Sequence, residues 1–270
     1  MSIVCNKHVY FIEGGDNVGK TTTIATIKMI QFIESLKYTR ITFSKYPTFS
    51  ITEDINSLNR KYREYKEQYE NKDLSKEEYD AKKSIVLNDL MSLMIRDMID
   101  SFDGLYREAK YIPGMNRLGD VLNISDRGFL STYLYQYRAL PRLCNETLTE
   151  EDELKQLKNF MEEYLPKTVN DINVIILNNN AKSGIASIMI DETETIEYKK
   201  NYDHDVELQT RINNSLNNIV ALIKKGRLNS LPFKFYYIDI FDKDGLVRKT
   251  SEEVCSEIVD IINLSKEEKV

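Results

Sequence analysis

The segment from Gly14 to Thr21 constrains this chain more than any other part of its sequence. It reads Gly-Gly-Asp-Asn-Val-Gly-Lys-Thr and matches G-x-x-x-x-G-K-[ST] at every fixed position. The apolar run Val9–Ile12 precedes it and a helical pattern from Thr22 to Leu36 follows, which is the context that this motif requires. Glycines let backbone N–H groups turn inward around an anion, and the N-terminus of the helix adds a favourable dipole. The segment therefore predicts a phosphate-binding loop that holds a nucleotide.

Two side chains of this loop have distinct roles in polyphosphate chemistry. Lys20 is expected to bridge the β- and γ-phosphates of the nucleotide, and the Thr21 hydroxyl is expected to ligate Mg²⁺. The remaining positions complete the predicted phosphate-binding set, which comprises Gly14, Gly15, Asp16, Asn17, Val18, Gly19 and Thr22. The loop indicates nucleotide binding, and other residues must indicate what is done with the nucleotide.

Five short β-prone segments alternate with longer helical patterns along the 270 residues. The predicted strands are His8–Glu13, Arg40–Ser44, Asp120–Ser125, Ile172–Asn178 and Phe233–Ile240. Such alternation predicts an α/β fold in which one five-stranded parallel sheet lies between two layers of helices. Glycine and proline are too scarce to mark a linker, so we expect a single domain over residues 1–270.

The stretch of residues 52–102 interrupts this alternation. Within residues 56–83 more than half of the side chains are charged, while the apolar positions recur at helical spacing. Ser75 and Glu78 have the spacing of a capping box, which predicts the start of a second helix that continues to the end of the stretch. We interpret residues 52–102 as an inserted helical hairpin with a solvated, charged tip, and a partner-binding arm is the alternative.

Composition excludes several classes of protein. The chain has 37 Lys and Arg against 43 Asp and Glu, a net charge of −6, which argues against broad nucleic-acid binding. No apolar run is long enough to span a bilayer, and no signal peptide is visible at the first residues. Three scattered cysteines and two isolated histidines leave little room for a disulfide framework, a zinc site or histidine catalysis. We therefore expect a cytoplasmic protein without a membrane or nucleic-acid partner.

Charged residues follow two further predicted strands. Asp126 and Arg127 come at the end of the third strand, where the carboxyl ends of parallel strands line a ligand crevice. Asp126 is expected to hold Mg²⁺ through water, and Arg127 to clamp a phosphate with two hydrogen bonds. Lys45, beside Pro47 after the second strand, is a weaker candidate for a phosphate contact. The alternatives are an ordinary charge pair that caps the following helix and a solvated lysine.

Together these segments resemble the thymidylate kinase family of P-loop nucleoside-monophosphate kinases. The stretch from Phe11 to Thr22 is similar to the family pattern F-x-E-G-x-D-x-x-G-K-T-T, and the pattern D-R-x-x-x-S-x-x-x-Y-Q recurs from Asp126 to Gln136. Lys45-Tyr46-Pro47 stands where the family has Arg-Phe-Pro or Arg-Glu-Pro. The resemblance covers nearly the whole chain apart from about residues 52–83, and it implies a P-loop NTPase fold with a lid.

The resemblance also implies a role for each matching residue on the acceptor side. Asp16 would hold the 3′-hydroxyl of an acceptor deoxyribose, and Arg127 would bind the acceptor phosphate. Ser131 and Gln136 would face the thymine edge, and Arg96 would contact the base unless it is a solvated arginine of a helix face. The implied acceptor-binding set is therefore Asp16, Lys45, Arg96, Arg127, Ser131 and Gln136.

The chain departs from the family in its supply of arginine to the transition state. The family provides this arginine from the phosphate loop or from the lid, whereas here Asn17 occupies the loop position and the lid-like residues 178–200 contain no arginine. The lid offers only Lys182, Lys199 and Lys200, and a lysine lacks the planar fork that matches phosphate oxygens. We predict that Lys182 closes over the transferring phosphoryl group, with a solvated lysine as the alternative.

The resulting prediction is ATP- and Mg²⁺-dependent phosphorylation of dTMP to dTDP by a homodimeric enzyme. The implied catalytic residues are Lys20, Asp16, Arg127 and Lys182, and the predicted metal ligands are Thr21 and Asp126. A broader deoxynucleoside-monophosphate kinase stays open, as does a deoxynucleoside kinase with Glu13 or Asp126 as its base. A non-catalytic nucleotide-binding module and a catalytically damaged kinase are further alternatives.

Overall fold

A computed structural model describes most of the chain. The described residues are 7–15, 18–45, 52–110, 120–138, 148–167, 169, 172–182 and 196–267. The five strands are β1 (Lys7–Glu13), β2 (Arg40–Lys45), β3 (Val121–Asp126), β4 (Ile172–Asn178) and β5 (Phe233–Asp239). They form one sheet in the order β2-β3-β1-β4-β5, and every neighbouring pair is parallel. The predicted α/β fold with a five-stranded parallel sheet is confirmed.

The helices cover both faces of this sheet. They are α1 (Lys20–Ile27), α2 (Ile30–Ser35), α3 (Thr52–Glu70), α4 (Lys76–Lys110), α5 (Phe129–Ser131), α6 (Glu150–Tyr164), α7 (Ile196–Lys224) and α8 (Ser251–Glu267). A π-helical segment, Thr132–Arg138, continues directly from α5. Alternate side chains of the central strand β1 enter two separate cores, because successive strand residues point to opposite faces.

The two cores contain different helices. Val9 and Phe11 pack with apolar residues of α4, α6 and α7, whereas Tyr10 and Ile12 pack with apolar residues of α1, α2 and α8. The single helix predicted over Thr22–Leu36 is wrong, because Met29 has an extended backbone with φ −68° and ψ 144° and separates α1 from α2. The break turns Phe32 of α2 into the core beneath α8.

Two long helices occupy the stretch where the sequence predicts a hairpin. The capping box at the start of α4 is formed, since the Ser75 hydroxyl accepts from the Glu78 N–H at 3.2 Å and the Ser75 N–H donates to the Glu78 carboxylate at 2.9 Å. The rings of Tyr69 and Tyr79 stack across the pair with centroids 4.7 Å apart. Helix α4 continues to Lys110, beyond the predicted end at residue 102, and its turns between Ile95 and Phe102 enter the core.

None of the described helices combines the length and the apolar run that a bilayer crossing needs.

The order of the strands in the sheet indicates where a ligand can bind. The chain leaves β1 towards β2 and β3 on one side of the sheet, and then crosses to β4 and β5 on the other side. Loops that leave the carboxyl ends of β1, β3 and β4 therefore diverge around a crevice, which is the usual ligand position in open α/β sheets.

Cys255 of α8 gives a prediction about the packing of this layer. Its side chain is fully buried and its thiol donates to the Thr23 carbonyl oxygen at 3.3 Å. Because burial raises the pKa of the Cys255 thiol to about 12, we expect no alkylation by iodoacetamide in the native protein at pH 8. Peptide mass spectrometry before and after denaturation measures this, with Cys5 and Cys144 in the same digest as comparators. Rapid labelling of native Cys255 would contradict the packing of α8 on α1.

Candidate functional site

The registers of the central strands bring the predicted charged residues to one edge of the sheet. Asp126 at the end of β3 lies opposite Ile12 of β1 on one side and opposite Lys45 of β2 on the other. Glu13, the last residue of β1, lies opposite Ile176 of β4. The phosphate loop begins directly after Glu13, so the loop and these strand ends share one crevice.

The backbone of the phosphate loop depends on two of its glycines. Gly14 has φ +150°, and a Cβ there would lie 2.8 Å from the Leu177 carbonyl oxygen and 2.9 Å from a methyl of the buried Val18. Gly19 has φ +93° and is the N-cap of α1. Both positions favour glycine because L side chains rarely adopt these conformations, and at Gly14 the packing of β4 on the loop also leaves no room for a Cβ. Asp16 and Asn17 lie outside the described residues.

The ammonium group of Lys20 lies inside the curve of the loop. The side chain is only 6% exposed, and its Nζ donates to the carbonyl oxygen of Gly14 at 3.0 Å and to that of Gly15. A buried cation is costly unless it is hydrogen-bonded and balanced by negative charge. The loop carbonyls accept from two of its N–H groups, and an anion at the loop would add the balancing charge. Thr22, one turn into α1, is exposed.

Thr21 and Asp126 meet beside Lys20. The Thr21 hydroxyl donates to Asp126 Oδ2 at 3.1 Å, and the second oxygen, Oδ1, is buried without a hydrogen-bond partner among the described residues. A hydroxyl and a carboxylate are the hard oxygen ligands that Mg²⁺ prefers, and this ion is usually held by one or two carboxylates with water and phosphate. The residues present therefore fit the predicted ion. Among the described residues, no group of three or more His, Cys, Asp or Glu side chains is arranged so that it could hold a metal ion.

Glu13 is the most deeply buried carboxyl group of the site. It accepts hydrogen bonds from the Ser131 N–H at 3.2 Å and from the Ser131 hydroxyl. Burial raises the pKa of Glu13, while the two bonds from Ser131 and the charges of Arg127 and Lys20 oppose this shift. The Glu13 carboxyl group thus joins the end of α5 to the end of β1.

Ser131, which the sequence predicts at an acceptor base, is bonded to Glu13 in this structure. Its side chain is 3% exposed and its hydroxyl proton is engaged by the Glu13 carboxylate. Ser131 has the spacing from Asp126 that the family pattern requires, but its hydroxyl points to Glu13 at the end of β1. The side chain of Gln136, the other residue predicted at the base, lies outside the described part of the structure.

Arg127 leaves the end of β3 with an unusual backbone. Its φ of +68° lies in the left-handed region, which costs a residue other than glycine roughly 1 kcal/mol or more. Its N–H donates to the Ile12 carbonyl oxygen at 3.0 Å, and its guanidinium lies over the Tyr135 ring, 4.7 Å from the centroid. Such strain is common at functional sites, where it directs a side chain that a relaxed backbone would not present.

Two other predicted cations lie on exposed surfaces. Lys45 is exposed at the end of β2, one strand away from β1. Arg96 is exposed on α4, where its charge acts on Tyr164 at the end of α6. Burial raises the pKa of that tyrosine to about 12, the neighbouring Glu163 adds to the shift, and Arg96 opposes it. Lys45 thus adjoins the crevice through its strand register, and Arg96 is tied to the α4–α6 side of the core.

Lys182 lies on a segment that is fastened to the loop after β5. Its N–H donates to the Gly245 carbonyl oxygen at 2.9 Å, and its side chain is exposed. Asn180 accepts from the Phe241 N–H at 2.9 Å and donates to the Asp242 carbonyl oxygen at 3.1 Å. The start of the predicted lid is therefore held in place by several bonds. Residues 183–195 of that lid lie outside the described residues, as do the side chains of Lys199 and Lys200.

Sequence reasoning missed one cation that the fold brings to the phosphate loop. Arg248, in the loop between β5 and α8, places its Nη2 atom 3.3 Å from the point where a Cβ on Gly19 would lie. In an open α/β sheet the loop after any strand can reach the crevice, so the position of Arg248 after the fifth strand could have marked it as a candidate site residue. Nothing in the sequence distinguished Arg248 from Lys243 and Lys249 of the same loop.

Comparisons with known proteins give a limited result. No protein-family model matches the chain, and no curated protein matches it significantly. Among solved structures, a thymidylate kinase from Ehrlichia chaffeensis is similar at 14% identity and TM-score 0.43, covering 96% of this chain and 99% of that one. A deoxyadenosine kinase from M. mycoides with bound dATP is similar at 17% identity and TM-score 0.43, covering 94% and 99%. Identities and TM-scores this low assign no activity to this chain.

Proposed function

We propose that this protein is a nucleoside-monophosphate kinase that transfers the terminal phosphoryl group of ATP to dTMP, giving ADP and dTDP. The observation that carries the proposal is the buried Lys20 ammonium inside a glycine-dependent loop, with Thr21 and Asp126 paired beside it. The resemblance of the two motifs to thymidylate kinases supports dTMP as the acceptor. We also propose that the enzyme is a homodimer, as that resemblance implies.

The donor side works by position and charge. Backbone N–H groups of the loop and of the first turn of α1 would surround the β-phosphate, and Lys20 would exchange its bonds to Gly14 and Gly15 for bonds to phosphate oxygens. Phosphoryl transfer needs little covalent help from the protein, because alignment of the two oxygens and neutralisation of charge supply most of the acceleration. The loop therefore supports transfer as well as binding.

Thr21 and Asp126 would hold Mg²⁺, the hydroxyl directly and the carboxylate through water. When bound, the ion supplies positive charge that neutralises the donor phosphates. Asp126 Oδ1 supports this assignment, because a buried carboxylate oxygen without a partner is costly unless a ligand satisfies it. The Thr21–Asp126 hydrogen bond keeps both groups oriented towards the first turn of α1.

The acceptor side is proposed at the ends of β2 and β3. Arg127 would bind the phosphate of dTMP, and Lys45 would add a second charge from the neighbouring strand end. Asp16 is proposed to hold the 3′-hydroxyl, and Gln136 and Arg96 to contact the base. No protein nucleophile is needed, because the acceptor is itself a phosphate oxyanion.

A deoxynucleoside kinase is the second candidate. That reaction needs a carboxylate base for the 5′-hydroxyl of the sugar. Glu13 is unsuited to this role, since it is fully buried and both of its oxygens accept bonds from Ser131. Asp126 favours the candidate, because its unpartnered Oδ1 could accept a proton as well as face a metal ion.

A coupled assay of ADP release with dTMP, dUMP and thymidine as acceptors tests the proposal. We expect the highest kcat/KM with dTMP and little ADP release without an acceptor. A clear preference for thymidine would replace the proposal by the nucleoside kinase, and equal use of dUMP would indicate a broader monophosphate kinase. ADP release that is independent of any acceptor would indicate a nucleotide-gated module.

The proposed lid lysine can be tested in the same assay. If Lys182 closes over the transferring group, Lys182→Ala should lower kcat by at least about tenfold, since comparable cations are worth orders of magnitude. Lys243→Ala is a suitable control, because Lys243 is also exposed and belongs to the loop that binds the Lys182 backbone. A loss of less than tenfold at Lys182, similar to that at Lys243, would contradict the role.

A further inference from the structure

We propose that Arg248 binds the phosphate chain of the donor nucleotide and so supplies, from the loop after β5, the arginine that the phosphate loop and the lid lack. This inference deepens the proposed function and rests on it. Neither residues 14–22 nor residues 178–200 contain an arginine, so an arginine at the donor phosphates would have to come from another part of the chain. Arg248 has a suitable position next to Gly19, although the two residues are far apart in the sequence.

The first observation is the contact between Arg248 and the loop. The Nη2 atom lies 3.3 Å from the point where a Cβ on Gly19 would be, which is closer than any other described atom outside Gly19 and its two chain neighbours. Gly19 is the N-cap of α1, where the free N–H groups of the first turn begin. An anion held by those N–H groups would therefore lie within reach of the exposed guanidinium.

The second observation is that the loop carrying Arg248 is held rigidly by its own backbone. Arg248 pairs with Phe241 in an antiparallel bridge, and the Asp242 carboxylate accepts from the N–H groups of Leu246 at 2.8 Å and Val247 at 3.3 Å. Backbone hydrogen bonds, those from Leu246 and Val247 first, lower the pKa of Asp242, so its carboxylate stays charged at neutral pH. A preorganised loop lowers the entropy cost of binding through Arg248.

The third observation is that the same loop is packed against the start of the lid. Gly245 has φ +69°, and a Cβ there would lie 2.7 Å from the Asn180 carbonyl oxygen and 2.9 Å from the Lys182 nitrogen. The loop after β5 and the segment after β4 are therefore in direct contact, and the Lys182 N–H donates to the Gly245 carbonyl oxygen within that contact. The neighbouring cation Lys249 is directed elsewhere, since its Nζ donates to Glu257.

The chemistry of the guanidinium matches a polyphosphate. Arg248, Lys20 and the N-terminus of α1 each place positive charge at the loop, and the donor phosphates would supply the opposite charge. A planar guanidinium binds two phosphate oxygens at once, whereas an ammonium group acts as a point charge. The contact is expected to strengthen ATP binding and, where it reaches the transferred group, to raise kcat.

Substitution of Arg248 tests the inference, with Arg227→Gln as the matched control. Arg227 is an exposed arginine whose guanidinium donates to both carboxylate oxygens of Glu151 in α6, at 2.7 and 3.1 Å. We expect Arg248→Gln to weaken ATP binding by about tenfold or more, because hydrogen bonds to charged groups are the strong ones. Calorimetry gives the Kd, and tripolyphosphate used as a competitor should lose affinity by a similar factor.

Each outcome supports or overturns the role of Arg248. A loss for ATP without a loss for tripolyphosphate would show that Arg248 contacts the base, and it would overturn the inference. An unchanged Kd in Arg248→Gln, as in Arg227→Gln, would overturn it as well. Arg248→Lys, which keeps the charge, should restore part of the affinity, and it serves as the test if the glutamine variant does not fold. A wild-type protein that binds ATP but phosphorylates no nucleotide would contradict the proposed function and leave the inference standing.

Discussion

Lys20→Met is expected to lower kcat for phosphoryl transfer by about 10²–10³-fold, the range typical of removing one preorganised donor from a transition state. The Lys20 ammonium is held by the carbonyl oxygens of Gly14 and Gly15, at the centre of the loop. Once it has exchanged these bonds for bonds to the phosphates, the ammonium needs no further reorganisation when charge develops on the transferring group. Methionine has a similar length without charge, so the substitution removes the cation and leaves most of the packing.

The measurement is kcat with saturating ATP and dTMP, together with the ATP Kd from calorimetry. Lys28→Met is the matched control, because Lys28 is an exposed lysine at the end of the same helix and lies over the Phe43 ring. We expect this control to keep wild-type activity within about twofold, as surface substitutions usually do. Activity of Lys20→Met within tenfold of wild type would contradict the assignment of Lys20 and with it the proposed mechanism.

Gly14→Ala is expected to lower the free energy of unfolding by about 2–4 kcal/mol and to abolish nucleotide binding. The φ of +150° is strained for alanine, and the new Cβ would overlap the Leu177 carbonyl oxygen at 2.8 Å. That oxygen belongs to β4 in the centre of the sheet and cannot withdraw without breaking the ladder. The loop must shift instead, and Lys20 would lose its carbonyl partner at residue 14.

Gly15→Ala is the matched control for this substitution. A Cβ at residue 15 would have its nearest contact at 3.5 Å, with the Gln209 side chain, which is an ordinary packing distance. Urea denaturation should therefore separate the two neighbouring alanine variants by more than about 1.5 kcal/mol. Equal stability of the two variants would show that the backbone strain at Gly14 is smaller than its geometry indicates.

The sequence predicted helices, strands and loops well where the residues that determine them lie close together in the chain. Strand β4 has the predicted bounds, because its seven buried residues contain the uninterrupted apolar run 174–177, which is a strong strand signal. The start of α4 was predictable from Ser75 and Glu78, since both partners of a capping box lie within one turn. The phosphate loop is similar, because its glycines and its lysine act within one short segment.

Signals failed where the deciding contact lies far away along the chain. The break at Met29 separates two amphipathic helices that each fit the same periodicity, and the core beneath α8 decides where the second one turns. Ser131 has the spacing of a base-facing residue, but Glu13 of a different element captures its hydroxyl. Periodicity and spacing show which residue types occur at which positions, but they do not show which distant residues those side chains contact.

The sequence by itself determined that this protein has a parallel α/β sheet with a phosphate loop after its first strand. This was possible because each strand pattern, like the loop motif, consists of consecutive residues. Only the tertiary structure decided which cations surround that loop. The register of β1, β2 and β3 brings Lys45 and Asp126 together, and the loop after β5 brings Arg248 to Gly19. The physical reason is that side-chain proximity across a sheet follows from strand order and packing, which couple residues that are remote in the chain.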